Sequence, residues 1–316
     1  MILRVPLSAF LFALSVFSVG AQGFPPIEAD SMKALMASPR HGEWVSVGSG
    51  PGRFDAWVVY PERPDKAPVV VLIHEIFGLT DWARAVADAY AAEGFLVIAP
   101  DFLSGKAPDG KGGSAALGPD ASRGAIAKLD PAEITAKLDA AARWATSQPS
   151  ATSAYGVVGF CWGGGISYGW ATTQPGLKAS VGFYGTAPAK QALGSIQAPV
   201  LALYGGADAR VTSTMAPFRD EMSRLGKQYE SEVYEGAGHA FLRQQDGMNG
   251  ANLKAAQQGW PRSVAFLKSA LEAKKLSALS TSTSGDGLLV TAVSDECDDC
   301  CCDDTIGASS SVARIP

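Results

Sequence analysis

Short apolar runs that do not alternate limit what this chain can become. Val69-Val-Val-Leu-Ile73 and Pro199-Val-Leu-Ala-Leu-Tyr204 carry no charged residue. A strand with one wet face alternates polar and apolar side chains, whereas a strand covered on both faces does not. The expected strands are Phe54–Tyr60, Pro68–Ile73, Phe95–Ala99, Tyr155–Phe160, Ala179–Tyr184, Pro199–Tyr204 and Glu230–Tyr234. Between them lie amphipathic stretches that predict helices over Trp82–Glu93, Pro131–Gln148, Gly163–Thr173, Ser213–Leu225 and Ala251–Lys274. Strands alternating with helices predict an α/β fold: a mostly parallel sheet flanked by helices on both faces.

Functional residues in such a sheet collect beyond the carboxyl ends of its strands. After Ile73 come His74-Glu75-Ile76-Phe77-Gly78, and after Ala99 come Pro100-Asp101. Cys161-Trp-Gly-Gly164 follow Phe160, Gly205-Gly-Ala-Asp208 follow Tyr204, and Glu235-Gly-Ala-Gly-His239 follow Tyr234. Gly159-Phe-Cys161-Trp-Gly163 has the spacing of a nucleophile elbow, a tight strand-to-helix turn that exposes the central side chain. A helix starting near Gly163 would aim its free N–H groups and positive dipole end at the sulfur and favour thiolate. The N–H of Trp162 and that of Ile76 are the expected oxyanion donors. Nucleophile, acid and base then run in chain order as Cys161, Asp208 and His239. His239 would take the thiol proton and Asp208 would fix the imidazole tautomer. Each residue has a plainer alternative. Cys161 could be a small buried hydrophobe, Asp208 a turn or helix cap, and His239 a loop residue. His74 competes for the role of base but precedes the nucleophile.

"HEIFG" at 74–78, "PDFLSGKAPDG" at 100–110, "GFCWGG" at 159–164, "GGAD" at 205–208 and "GAGHAFLR" at 236–243 occur in this order. In this, the chain resembles the dienelactone hydrolase family of α/β-hydrolases from about Phe54 to Leu271. The resemblance implies an α/β-hydrolase fold and hydrolysis of an ester or lactone through a thioester. It implies Cys161, Asp208 and His239 as the triad, Ile76 and Trp162 at the oxyanion hole, and Glu75 as the glutamate that contacts the resting thiol. A carboxylate there would keep the sulfur protonated until substrate draws on its charge. The plainer role for Glu75 is a salt bridge to an arginine. Arg243 matches a family arginine that helps hold a substrate carboxylate. The family places a second arginine after "PD", where this chain has Gly105 followed by Lys106. The residue after the histidine, often serine in the family, is Ala240.

The ends read differently. A basic start at Arg4, an apolar run from Val5 to Val19 and small residues before Gln22 predict a signal peptide over 1–21, cleaved after Ala21. The product is expected in the periplasm or outside the cell, with no stable membrane span after processing. Residues 276–316 are rich in Ser, Thr and Asp and hold Cys297, Cys300, Cys301 and Cys302, which predicts a disordered acidic tail. The tail carries a net −6 and Arg4 adds +1, which accounts for the net charge of −5 and leaves residues 22–275 neutral as one expected domain. A neutral body has no electrostatic footprint for nucleic acid. No phosphate-binding glycine loop or dinucleotide fingerprint occurs, so no cofactor and no metal are expected. The expected partner is a small ester or lactone, bound by a monomer. Two other classes stay open: a non-catalytic binding module on this fold, and a metal or redox role for the tail cysteines.

Overall fold

The computed structural model describes residues 24–272. The expected leader and the cysteine-rich tail lie outside the described residues. Eight strands form one sheet among the described residues: β1 (Gly42–Val47), β2 (Phe54–Val59), β3 (Ala67–Ile73), β4 (Leu96–Pro100), β5 (Ala151–Phe160), β6 (Ser180–Phe183), β7 (Val200–Gly205) and β8 (Tyr229–Tyr234). Their order is β1-β2-β4-β3-β5-β6-β7-β8. The pairs β1–β2 and β2–β4 are antiparallel, and every other pair is parallel. The helices are α1 (Ser31–Ala37), α2 (Asp81–Ala92), α3 (Pro119–Ile126), α4 (Pro131–Thr146), α5 (Trp162–Ala171), α6 (Ala209–Thr212), α7 (Met215–Arg224) and α8 (Ala251–Leu271).

Strand β3 shows why its run is continuous. Val70 and Leu72 pack on one side with Trp82, Val86 and Tyr90 of α2 and Trp260 and Leu267 of α8. Val69, Val71 and Ile73 pack on the other with Leu138 and Ala141 of α4, Tyr168 of α5 and Phe218 and Met222 of α7. Each of these aliphatic side chains is wholly or almost wholly buried, worth ~1.5–3 kcal/mol apiece relative to exposure. Helix α4 starts where Asp130 accepts from the Ala132 N–H at 2.9 Å, with Pro131 at the first helical position.

Three features depart from expectation. Strand β1 was not foreseen, because it is an edge strand with Trp44 exposed on one face and no continuous apolar run. Helices α1 and α3 are short and carry few buried residues. The single helix expected over Ser213–Leu225 is two. The turn α6 is capped by Asp208, and Thr214 separates it from α7 by donating its hydroxyl to the Val211 carbonyl at 2.7 Å. No helix of the described residues is long and apolar enough to cross a membrane.

Candidate active site

The parallel order brings the ends of β3, β5, β7 and β8 to one edge, and the residues that follow them meet there. Cys161 leaves β5 at φ 56° and ψ −115° and opens α5. Its neighbours are glycine for lack of space rather than for positive φ. A Cβ on Gly159 would sit 1.9 Å from the Gly163 carbonyl oxygen, and one on Gly163 would sit 2.4 Å from the Ile73 oxygen. The tight turn and the close pass of α5 over β3 both need bare backbone.

His239 Nε2 lies 3.0 Å from Cys161 Sγ, and His239 Nδ1 lies 2.5 Å from Asp208 Oδ2. Asp208 is almost buried while His239 is partly open. An ionised carboxylate on Nδ1 makes that nitrogen the protonated one, which leaves Nε2 free to accept from the thiol. Asp208 also accepts from the Val211 N–H at 3.4 Å, so the plainer reading of it as a helix cap holds as well. The ring of Tyr184 meets His239 edge-on, with centroids 5.1 Å apart.

The backbone N–H groups of Trp162 and Ile76 both point at the sulfur. Even so, the resting thiol is not favoured as thiolate. Burial pushes Cys161 up to about 11, and the Glu75 carboxylate pushes it the same way. The two N–H groups and the charge of Arg210 pull down and are outweighed. The helix end alone therefore does not activate the sulfur, contrary to the simplest expectation from the elbow.

Glu75 takes the plainer role foreseen for it, a salt bridge to an arginine, and its charge also reaches the thiol. It is buried beside the thiol, and its Oε2 accepts from Arg243 Nε at 2.7 Å. Burial raises its carboxyl to about 7, against the pull of Arg243. Its Oε1 and the Tyr184 hydroxyl are both buried and face each other, close enough that each shifts the other's ionisation. Replacing Glu75 by Gln removes one of the two causes that raise the thiol. The thiolate fraction at neutral pH should then increase, and alkylation of Cys161 by iodoacetamide should speed up about three- to tenfold. Mass spectrometry of the Cys161 peptide reads this directly, and an unchanged or slower rate would contradict the role given to Glu75.

Arg243 is less available than its match to a substrate-binding arginine suggests. Besides Glu75 it pairs through Nη1 with Glu28, and it lies over the Phe77 ring at 5.1 Å. Glu28 was invisible in the sequence, since nothing local marks a partner 215 residues away. The segment carrying it is tied down: Gln245 donates to the Pro25 carbonyl at 3.0 Å, and Trp82 to that of Pro26 at 3.1 Å. Lys106, beside Gly105, pairs with Glu133 at 3.0 Å.

His74 and Asp101 are structural. His74 is fully buried, donating from Nδ1 to the Glu75 carbonyl at 2.7 Å and accepting at Nε2 from the Phe102 N–H at 3.4 Å. Burial pulls its pKa down, so it is a neutral strut rather than the base. Asp101 accepts from Leu103 N, Ser114 N and Ser114 Oγ, which fixes the loop after β4.

A cavity of about 420 Å³ opens on the sulfur, lined by Ile76, Cys161, Trp162, Tyr184, Thr186 and Arg210. A second, of about 500 Å³, has Glu28, Phe77 and Arg243 in its wall. Among the described residues no three His, Cys, Asp or Glu side chains gather as a metal site.

Comparison with known proteins gives one consistent result. A model of the dienelactone hydrolase family matches residues 54–271. The chain is 30% identical over 261 residues to the "Putative carboxymethylenebutenolidase" of Escherichia coli (strain K12), covering 78% of this chain and 94% of that protein. It is 29% identical over 245 residues to the "Probable 2-oxo-3-(5-oxofuran-2-ylidene)propanoate lactonase" of Bradyrhizobium sp, covering 72% and 93%. Among solved structures, the "Putative Dienelactone Hydrolase" from Klebsiella pneumoniae superposes with a TM-score of 0.62 at 27% identity, over 72% of this chain and 98% of that one.

Proposed function

The chain belongs to the dienelactone hydrolase family and is a hydrolase of ester or lactone bonds, and from that premise we propose that Cys161, His239 and Asp208 perform the hydrolysis through a thioester. The observation that carries the reading is the relay from Asp208 Oδ2 to His239 Nδ1 at 2.5 Å and from His239 Nε2 to Cys161 Sγ at 3.0 Å. A non-catalytic binding module would have no use for this alignment beside two N–H donors.

The substrate carbonyl enters the Cys161 cavity. His239 takes the thiol proton as Sγ bonds to the carbonyl carbon, and the resulting imidazolium is held by Asp208. The carbonyl π electrons move onto oxygen, where the N–H groups of Ile76 and Trp162 stabilise the charge. As the oxyanion collapses, the C–O bond breaks and His239 returns its proton to the leaving oxygen. A water then gives a proton to His239 and adds its oxygen to the thioester carbonyl. Collapse of the second intermediate releases the acid and the sulfur, which recovers its proton.

The first collapse decides which esters work, because the intermediate can expel either the alcohol oxygen or the sulfur. An ordinary thiol has pKa about 8.5 and a phenol about 10, and simple alcohols lie several units higher. The raised Cys161 thiol, at about 11, leaves less readily than an ordinary one. That brings phenols and enols to parity and still leaves alkyl alcohols behind. Aryl and enol esters should exceed matched alkyl esters in kcat/KM by about two orders of magnitude. Equal kcat/KM on the two classes would overturn the thioester reading, and acid-quench mass spectrometry should show the acyl group on the Cys161 peptide.

A further inference from the structure

Arginine is the side chain suited to hold a carboxylate, and two arginines stand near the sulfur in opposite electrostatic states. The guanidinium of Arg243 is shared between Glu75 and Glu28, so its donors are already engaged by carboxylates of the chain. Arg210 is exposed, projects from the single turn α6 two residues after Asp208, and lines the Cys161 cavity. No carboxylate of the described residues pairs with it. Thr186 stands on the same wall, and its hydroxyl has no partner among the described residues.

An anionic substituent entering the cavity meets a guanidinium already engaged by two carboxylates toward Arg243 and an unpaired cation toward Arg210. The charge of Arg210 is near enough to pull down the Cys161 thiol. Its backbone is held, because Asp208 caps α6 and the Thr212 hydroxyl donates to the Asp208 carbonyl at 3.0 Å. Its cost of ordering on binding is therefore confined to the side chain.

We propose that Arg210, assisted by the Thr186 hydroxyl, is the anion subsite of this enzyme and sets its preference for esters and lactones that carry a carboxylate, in place of Arg243. This rests on the Cys161-centred reading above only for the direction of catalysis; the charge selectivity of the cavity can be read without turnover.

The test uses two pairs of probes on the full chain and on Arg210→Gln, Arg210→Lys and Thr186→Val. Para-nitrophenyl hemisuccinate and para-nitrophenyl butyrate share a leaving group and differ in acyl charge. Iodoacetate and iodoacetamide alkylate Cys161 with and without a carboxylate, read on the Cys161 peptide. In Arg210→Gln the charged-to-neutral ratio should fall about tenfold for both pairs. It should fall less in Thr186→Val and hold in Arg210→Lys, and rising salt should shrink the wild-type ratio but not that of Arg210→Gln. Ratios that are the same in Arg210→Gln as in wild type would overturn the assignment. If neither ester is turned over in a Cys161-dependent way, the hydrolytic reading fails, and the alkylation ratio still decides the role of Arg210.

Discussion

Cys161→Ala should lower kcat/KM on an aryl ester by at least about three orders of magnitude and leave the fold intact. The substitution removes one atom, the sulfur, from a half-buried residue. It keeps the Cβ, so the unusual backbone at φ 56° is no more strained with alanine than with cysteine. The far-ultraviolet circular dichroism and the melting temperature should therefore be close to those of wild type. Cys161→Gly sharpens the point. Glycine adopts positive φ freely, so this variant should be more stable than Cys161→Ala by about 1 kcal/mol while equally inactive. That pair of results would show strain held at the nucleophile for the sake of chemistry. Cys161→Ser keeps an atom within reach of His239 but offers a hydroxyl, which is far harder to deprotonate, and should recover only a small part of the rate. Residual turnover above a few per cent in Cys161→Ala, with an unchanged spectrum, would remove Cys161 from the role of nucleophile.

The parts of the molecule that were legible in the sequence are those decided by local pattern. Val69–Ile73 reads as a strand covered on both faces because every one of its side chains is buried between helices. That Cys161, Asp208 and His239 meet at one edge was legible because each follows a recognisable strand, and a parallel sheet brings such ends together. What stayed hidden depends on contacts between distant segments. Strand β1 alternates weakly at the sheet edge, where one face is exposed and the hydrophobic signal is halved. The pairing of Glu28 with Arg243 has no local sign, yet it decides whether Arg243 can receive a substrate. The state of the thiol was half legible. The helix start and Glu75 were both visible, but which of them prevails depends on burial, and burial is a property of the packed fold. Arg210 was visible only as a residue of "GGADAR". Its place on the cavity wall follows from the one-turn helix that Asp208 caps.

His239→Ala should cost about three to four orders of magnitude in kcat/KM, and Asp208→Ala about two to four, because each removes a member of one relay. The two losses should not multiply. Asp208 reaches the sulfur only through the imidazole, holding the proton on Nδ1 at 2.5 Å so that Nε2 can accept from the thiol at 3.0 Å. Once the imidazole is gone, the carboxylate has nothing to orient, and the double variant should match His239→Ala alone. Asp208→Asn separates orientation from charge. An amide that donates to Nδ1 would place the ring proton on Nε2, facing a thiol that also carries a proton, and proton transfer would be blocked although the ring stays in place. Its activity should be at least as low as that of Asp208→Ala. Stability has to be followed in parallel, because Asp208 also caps α6 through the Val211 N–H. Loss of that cap costs about 1 kcal/mol, a small shift in melting temperature that cannot account for a loss of turnover of this size. Should the double variant be slower than His239→Ala by the full factor measured for Asp208→Ala, the two residues act independently and the relay is not the catalytic unit.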